Sequence, residues 1–172
     1  MTIAAAFVAV NMSAQVYLGG SVAFQAWSSQ KLAGDRSETV LKLMPEIGYN
    51  LNEEWAIGAV IGYESNKWNG AHESGFTFNP YVRYTFANLG KVNLFVDGGV
   101  DFTSYSKLDQ TNMGIGFKPG LAVNLTDKLS FVSHLGFIGY KQWNPDGDDN
   151  NWSMFGLDLD ATNVTFGLYY SF

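Results

Sequence analysis

Little in this chain is equipped for covalent chemistry. It holds two histidines and no cysteine, which excludes a thiol nucleophile and a thiolate metal site. Ser130 shares a strand face with His134, but four residues of extended chain put them roughly 13 Å apart, too far for a nucleophile–base pair. His72 falls in a connection. There is no Gly-x-Ser-x-Gly, no His-Glu-x-x-His and no phosphate-binding glycine loop. Between Trp143 and Trp152, Asp146, Asp148 and Asn150 have the alternate spacing of calcium-loop oxygens. The sixth position is Asn151 instead of glycine, however, and Leu157 stands where a bidentate glutamate is needed. The segment reads as a solvated acidic loop tip, with two tryptophans that could serve adhesion or pack on neighbouring loops. Neither enzymatic activity, nor a cofactor, nor a metal is expected.

The more informative polar residues are Lys42, Glu46, Arg83, Asp97, Asp101, Lys118 and His134, because they share one parity within alternating segments. From 76 to 86, Phe76, Phe78, Pro80, Val82, Tyr84 and Phe86 fall on one face, and Thr77, Asn79, Tyr81, Arg83 and Thr85 on the other. Alternation of period two over such a length specifies a strand with one apolar face. Segments 15–27, 38–49, 55–63, 92–103, 113–124, 129–140 and 154–172 read the same way. In 129–140 the apolar face is Leu129, Phe131, Leu135 and Phe137. In the last segment Phe155 and Leu157 have the opposite parity to Val164 and Phe166, which predicts a slip near Ala161-Thr162. Connections alternate between short (50–54, 87–91, 125–128) and long (28–37, 64–75, 104–112, 141–153). Eight strands joined in this way form an up-and-down meander, one end trimmed and the other elaborated.

Composition narrows the setting. The 172 residues suffice for one domain, charged residues are only 15% and aromatics 16%, and the net charge is −6; an acidic chain of this kind is not a nucleic-acid binder. No apolar run approaches the roughly 20 residues of a membrane-crossing helix. Ile3–Val10 with the following Asn11–Gln15 reads as a signal-peptide remnant lacking its basic start, so 1–14 is set apart from a single domain over 15–172. Eight strands close either as a soluble carrier barrel with an apolar interior or as a transmembrane barrel with an apolar exterior. The polar face decides between them. It is built of glycine, serine and a few charges of both signs, not the dense Lys and Glu of a wetted surface, and so suits a narrow interior. The expected fold is therefore all-β, an eight-stranded antiparallel up-and-down transmembrane β-barrel. Trp27, Tyr49, Trp55, Tyr63, Tyr84 and Tyr170 lie near strand ends on the apolar face, where headgroup-level aromatic girdles belong. Pro80 and Pro119 fall mid-strand, where each removes a ladder donor.

The C-terminal alternation Val164, Phe166, Leu168, Tyr170 and Phe172, ending on the final phenylalanine, resembles the terminal-strand signature of bacterial outer-membrane barrels. Met44-Pro45-Glu46-Ile47-Gly48-Tyr49 followed by Trp55-Ala56-Ile57-Gly58 is similar to small barrels of the OmpA/OmpX type. The resemblance runs from about Gln15 to the end, with no room expected for a periplasmic domain. It implies an outer-membrane lipid environment and recognition of the last strand by the barrel assembly machinery. It further implies both termini in the periplasm and four long loops outside the cell, available to an extracellular ligand or host surface. Lone charges in a narrow lumen are costly and paired ones tolerable, so the inward charges are expected to form a salt-bridged plug. The leading function is then a structural or surface-interaction protein with a mostly closed lumen. A small gated, low-conductance pore and a soluble lipocalin-like carrier are the alternatives.

Overall fold

The computed structural model describes residues 16–29, 36–68, 71–106, 110–144, 152–158 and 164–172, with backbone alone at 23–29, 36–38, 40, 68, 71, 144 and 158. The described strands are β1 (Val16–Ser29), β2 (Arg36–Asn50), β3 (Trp55–Trp68), β4 (Ala71–Leu89), β5 (Val92–Tyr105), β6 (Thr111–Asn124), β7 (Leu129–His134), β8 (Phe137–Asn144), β9 (Trp152–Asp158) and β10 (Thr165–Ser171). Every pairing is antiparallel and follows chain order. β7 and β8 succeed one another along β6 as one stave, β9 and β10 form the last, and β10 returns to β1 through Tyr17↔Ser171 to Gly20↔Leu168. The result is the expected closed eight-stranded barrel.

Alternation fixes which face goes where. Leu43, Ile47, Ile57, Ile61, Phe76, Phe78, Val82, Ile115, Phe117, Phe166 and Leu168 are all exposed on the outside, while Glu46, Thr77, Arg83 and Asp97 are buried within. This is the arrangement of a barrel solvated by hydrocarbon, and it rules out the inside-out soluble carrier. Strands β1 to β6 run 14 to 19 residues, more than the roughly 9–11 that a tilted strand needs to cross a bilayer. The turns at one end are held by local side-chain bonds. Asn52 Oδ1 accepts from the amides of Glu54 (2.9 Å) and Trp55 (2.8 Å), and Thr126 Oγ1 from that of Leu129 (3.0 Å). Gly90 takes a left-handed φ of 78° in the third.

Three expectations are corrected or refined. The connection expected over 64–75 is largely strand: β3 and β4 stay paired from Glu64↔Gly75 out to Trp68↔Ala71, because the alternation continues through polar residues that carry no hydrophobic signal. Phe137, expected on the outer apolar face, is instead buried (6% exposed) and lines the lumen. The reason is a bulge: Gly120↔His134 and Phe117↔Ile138 span three residues of β6 against four of β7–β8, so parity flips at Leu135–Gly136. The slip expected near Ala161-Thr162, residues outside those described, is visible in register: His134↔Thr165 is followed by Phe137↔Asp158, three residues against seven.

The prolines also find their places. Pro119 lies opposite the β7–β8 break, and its carbonyl accepts from the Leu135 amide (2.8 Å), so its missing donor falls where the ladder is already interrupted. Pro80 lies where β4 and β5 skip from Phe78↔Phe102 to Tyr81↔Gly99, and Asn79 Oδ1 accepts from the Phe102 amide (3.2 Å) in place of backbone.

Candidate functional site

The lumen near the short-turn end is filled by one network centred on Arg83. Its Nε and Nη2 donate to Asp97 Oδ1 (2.7 Å) and Oδ2 (2.8 Å), a bidentate pair, and Nη2 lies 3.6 Å from Glu46 Oε1. Register produces the first pair, since Arg83 and Asp97 are cross-strand partners on β4 and β5. Tyr81 donates to Glu46 Oε1 and Tyr169 to Oε2. With the Tyr81 proton so engaged, the 2.6 Å contact between the Tyr17 and Tyr81 hydroxyls has Tyr17 as donor. His134 Nε2 lies 2.8 Å from Asp97 Oδ2, and its ring meets Phe95 edge-on. Phe95, the most deeply buried large side chain at 1% exposure, places its face 4.0 Å from the Arg83 guanidinium carbon. Tyr17, Ala56, Val132 and Tyr169 complete the apolar packing with it. Every oxygen of the two buried carboxylates has a donor, which is the condition for a buried charge network to be tolerated.

Glycine makes room for these rings. A β-carbon on Gly48 would run into the Tyr17 ring, and one on Gly58 into the Tyr81 phenol. The inward glycines on β2 and β3 are thus the slots in which the plug tyrosines lie.

Above the plug the lumen opens into a cavity of about 430 Å³, lined among others by Lys42, Glu46, Asp97, Asp101, Lys118 and His134. Lys118 donates to Asp101 (2.5 Å) and Lys42 pairs with Glu64 (2.9 Å). The structure therefore brings the seven inward residues singled out in the sequence to one lumen, six on the cavity wall and Arg83 beneath it. Sequence reasoning missed Glu64 and Lys141, assigned to connections, and gave no site role to Tyr17, Tyr81, Tyr169 and Phe95, although their inward parity was readable. Of the residues expected in a girdle, Tyr49, Trp55, Tyr63 and Tyr170 are exposed on the outer face, and the Trp55 and Tyr84 rings meet at a tilt of 32° with centroids 4.6 Å apart; the Trp27 side chain lies outside the described residues. Phe166, Leu168, Tyr170 and Phe172 are exposed on the outer face of the last stave, with Val164 just before it. Asp146, Asp148 and Asn150 lie outside the described residues. Ser130 bonds Asn124 (2.9 Å), not His134, and His72 lies on β4 against Ser65 (3.0 Å).

The sequence model of the outer membrane protein beta-barrel domain matches residues 1–172. The chain belongs to this outer-membrane barrel family. Among solved structures, it is similar to Neisserial surface protein A (NspA), with 14% identity, 91% of this chain and 97% of that one covered, and a TM-score of 0.52. OmpT of Vibrio cholerae (11% identity, 91% and 51% covered, TM-score 0.38) and the translocator domain of the autotransporter NalP from Neisseria meningitidis (10%, 94% and 90%, TM-score 0.35) are more distant. No curated protein matches in sequence. For this outer-membrane barrel the shared feature is the fold; the plug geometry is argued from its own residues.

Proposed function

We propose that this outer-membrane barrel is an anchor with a shut lumen, working through the end that carries its longer connections. The observation that supports this is the Arg83–Asp97–Glu46 network, roofed by tyrosines and packed on Phe95. It fills the bore where eight strands leave space for little beyond side chains. In this reading the termini and short turns face the periplasm, and Tyr49, Trp55, Tyr84 and Tyr170 lie at the lipid headgroups. The terminal alternation through Phe172 is presented to the assembly machinery. The opposite end meets extracellular ligands or host surfaces. Planar-bilayer recording tests it. The folded parent inserts without conductance steps; discrete steps in the parent contradict the reading.

A second reading, a small gated pore, draws on one observation: Arg83 touches two carboxylates, Glu46 and Asp97, so a shift of partner leaves the guanidinium paired. It requires steps in the parent that change when Arg83 or Lys118 is neutralised.

A further inference from the structure

The outer wall changes chemistry at the same height on two neighbouring strands. On β3 the outward side chains are apolar from Trp55 to Tyr63 and polar above, first Ser65 and then Lys67. On β4 they are apolar from Tyr84 to Phe76 and then become Ser74 and His72. Register matches the two runs rung for rung: Trp55↔Tyr84, Tyr63↔Phe76, Ser65↔Ser74 and Lys67↔His72. From Trp55 to Tyr63 the strand measures roughly 26 Å along its length, or roughly 20 Å across the membrane at a tilt of about 40°. That is close to the roughly 25 Å apolar band of such barrels. Lys67 and His72 stand two rungs beyond, roughly 10 Å above the Tyr63–Phe76 rung, at the level of the headgroups.

The acids of the same segment lie on the other side of the wall. Glu64 and Glu73 have the opposite parity and turn to the lumen, Glu64 onto Lys42 (2.9 Å). On the outer face the described neighbours of Lys67 and His72 are hydroxyls: Thr39 opposite Lys67, Ser65 and Ser74 one rung below, and Ser104 opposite Phe76. Ser65 Oγ lies 3.0 Å from His72 Nε2; with the hydroxyl as donor, the ring proton sits on Nδ1 and adds a donor beside the Lys67 ammonium. Beneath this patch Leu41, Leu43, Tyr63 and Phe76 are apolar and exposed. An ammonium and hydroxyls directly over an apolar wall match an anionic headgroup over its own acyl chains.

We propose that this patch binds a membrane lipid with a phosphate monoester headgroup, its phosphate on Lys67 and His72 and its chains along the Tyr63–Phe76 wall. The three acceptor oxygens of a monoester meet the ammonium, the imidazole N–H and the hydroxyl row, whereas the fixed cation of a choline headgroup stands against Lys67. The inference goes beyond the anchor reading and needs neither its orientation nor its shut lumen.

The test is native mass spectrometry of the full-length barrel refolded in dodecyl maltoside, titrated with dioleoyl phosphatidic acid, with folding verified by unboiled gel mobility. Saturable retention of the lipid is expected, weakened about tenfold or more in the double variant Lys67→Gln, His72→Gln and retained in Lys67→Arg. Lys128→Gln, at the short-turn end, should change it less than twofold, and dioleoyl phosphatidylcholine should bind more weakly than phosphatidic acid. Glycerol phosphate, which has the headgroup without the chains, should not displace the lipid at equal concentration. Equal binding of the two lipids by the parent, parent-like binding by the double variant, or full displacement by glycerol phosphate overturns the proposal. Should the double variant not fold, Thr39→Glu sets a carboxylate opposite Lys67, and phosphatidic acid binding unchanged there overturns it equally.

Discussion

Arg83 is the one cation facing two buried carboxylates, so its removal is more damaging than removal of either partner. Arg83→Met leaves Asp97 and Glu46 buried and under-compensated, and should destabilise the barrel by about 3–5 kcal/mol, measured by urea unfolding in lipid vesicles. Lys118→Met, whose pair with Asp101 is partly exposed, 33% and 26% at the side chains, should lower stability by less than about 1 kcal/mol in the same assay. Gly48→Ala forces its β-carbon against the Tyr17 ring and should cost about 1–3 kcal/mol; the double variant with Tyr17→Ala should recover part of that loss if the clash is its cause. At this scale the sequence was half legible. Parity alone placed Lys42, Glu46, Arg83, Asp97, Asp101, Lys118 and His134 inside. It could not choose their partners, because Arg83–Asp97 depends on which residues of β4 and β5 stand opposite. Tyr17, Tyr81 and Tyr169 share the inward parity, but parity does not reveal that a phenol caps a buried carboxylate.

The strands themselves were legible almost to their ends, since a one-residue slip moves every apolar side chain to the wrong solvent. What escaped were the places where parity breaks or loses its hydrophobic marking. The β7–β8 bulge sends Phe137 inward, and no local pattern distinguishes that from continued outward alternation. The upper β3–β4 ladder is polar on both faces beyond the apolar band, so it read as a loop. The band itself is testable. Ile61→Arg and Phe78→Arg, cross-strand neighbours exposed on the outer face, should each lose about 2–4 kcal/mol of folding free energy in a bilayer, whereas Leu51→Arg in the first short turn should change it by less than about 1 kcal/mol. Equal effects at the three positions would mean that the apolar face is not the lipid-facing one.

At the scale of the whole molecule, closure of the sheet satisfies the backbone without water, and in the anchor reading the Arg83 network separates the two ends of the bore. Ser130, bonded to Asn124, lies on the short-turn side; Asn79 lines the cavity on the other side. The chain has no cysteine, so single cysteines report cleanly. The decisive measurement is labelling of Asn79→Cys and Ser130→Cys, in oriented vesicles, by a membrane-impermeant charged thiol reagent added to one side at a time. A shut lumen predicts that reagent on the long-connection side modifies Asn79→Cys and spares Ser130→Cys, and that reagent on the short-turn side does the reverse. Modification of both positions from one side would contradict it, and would mean that small ions pass the Arg83 network.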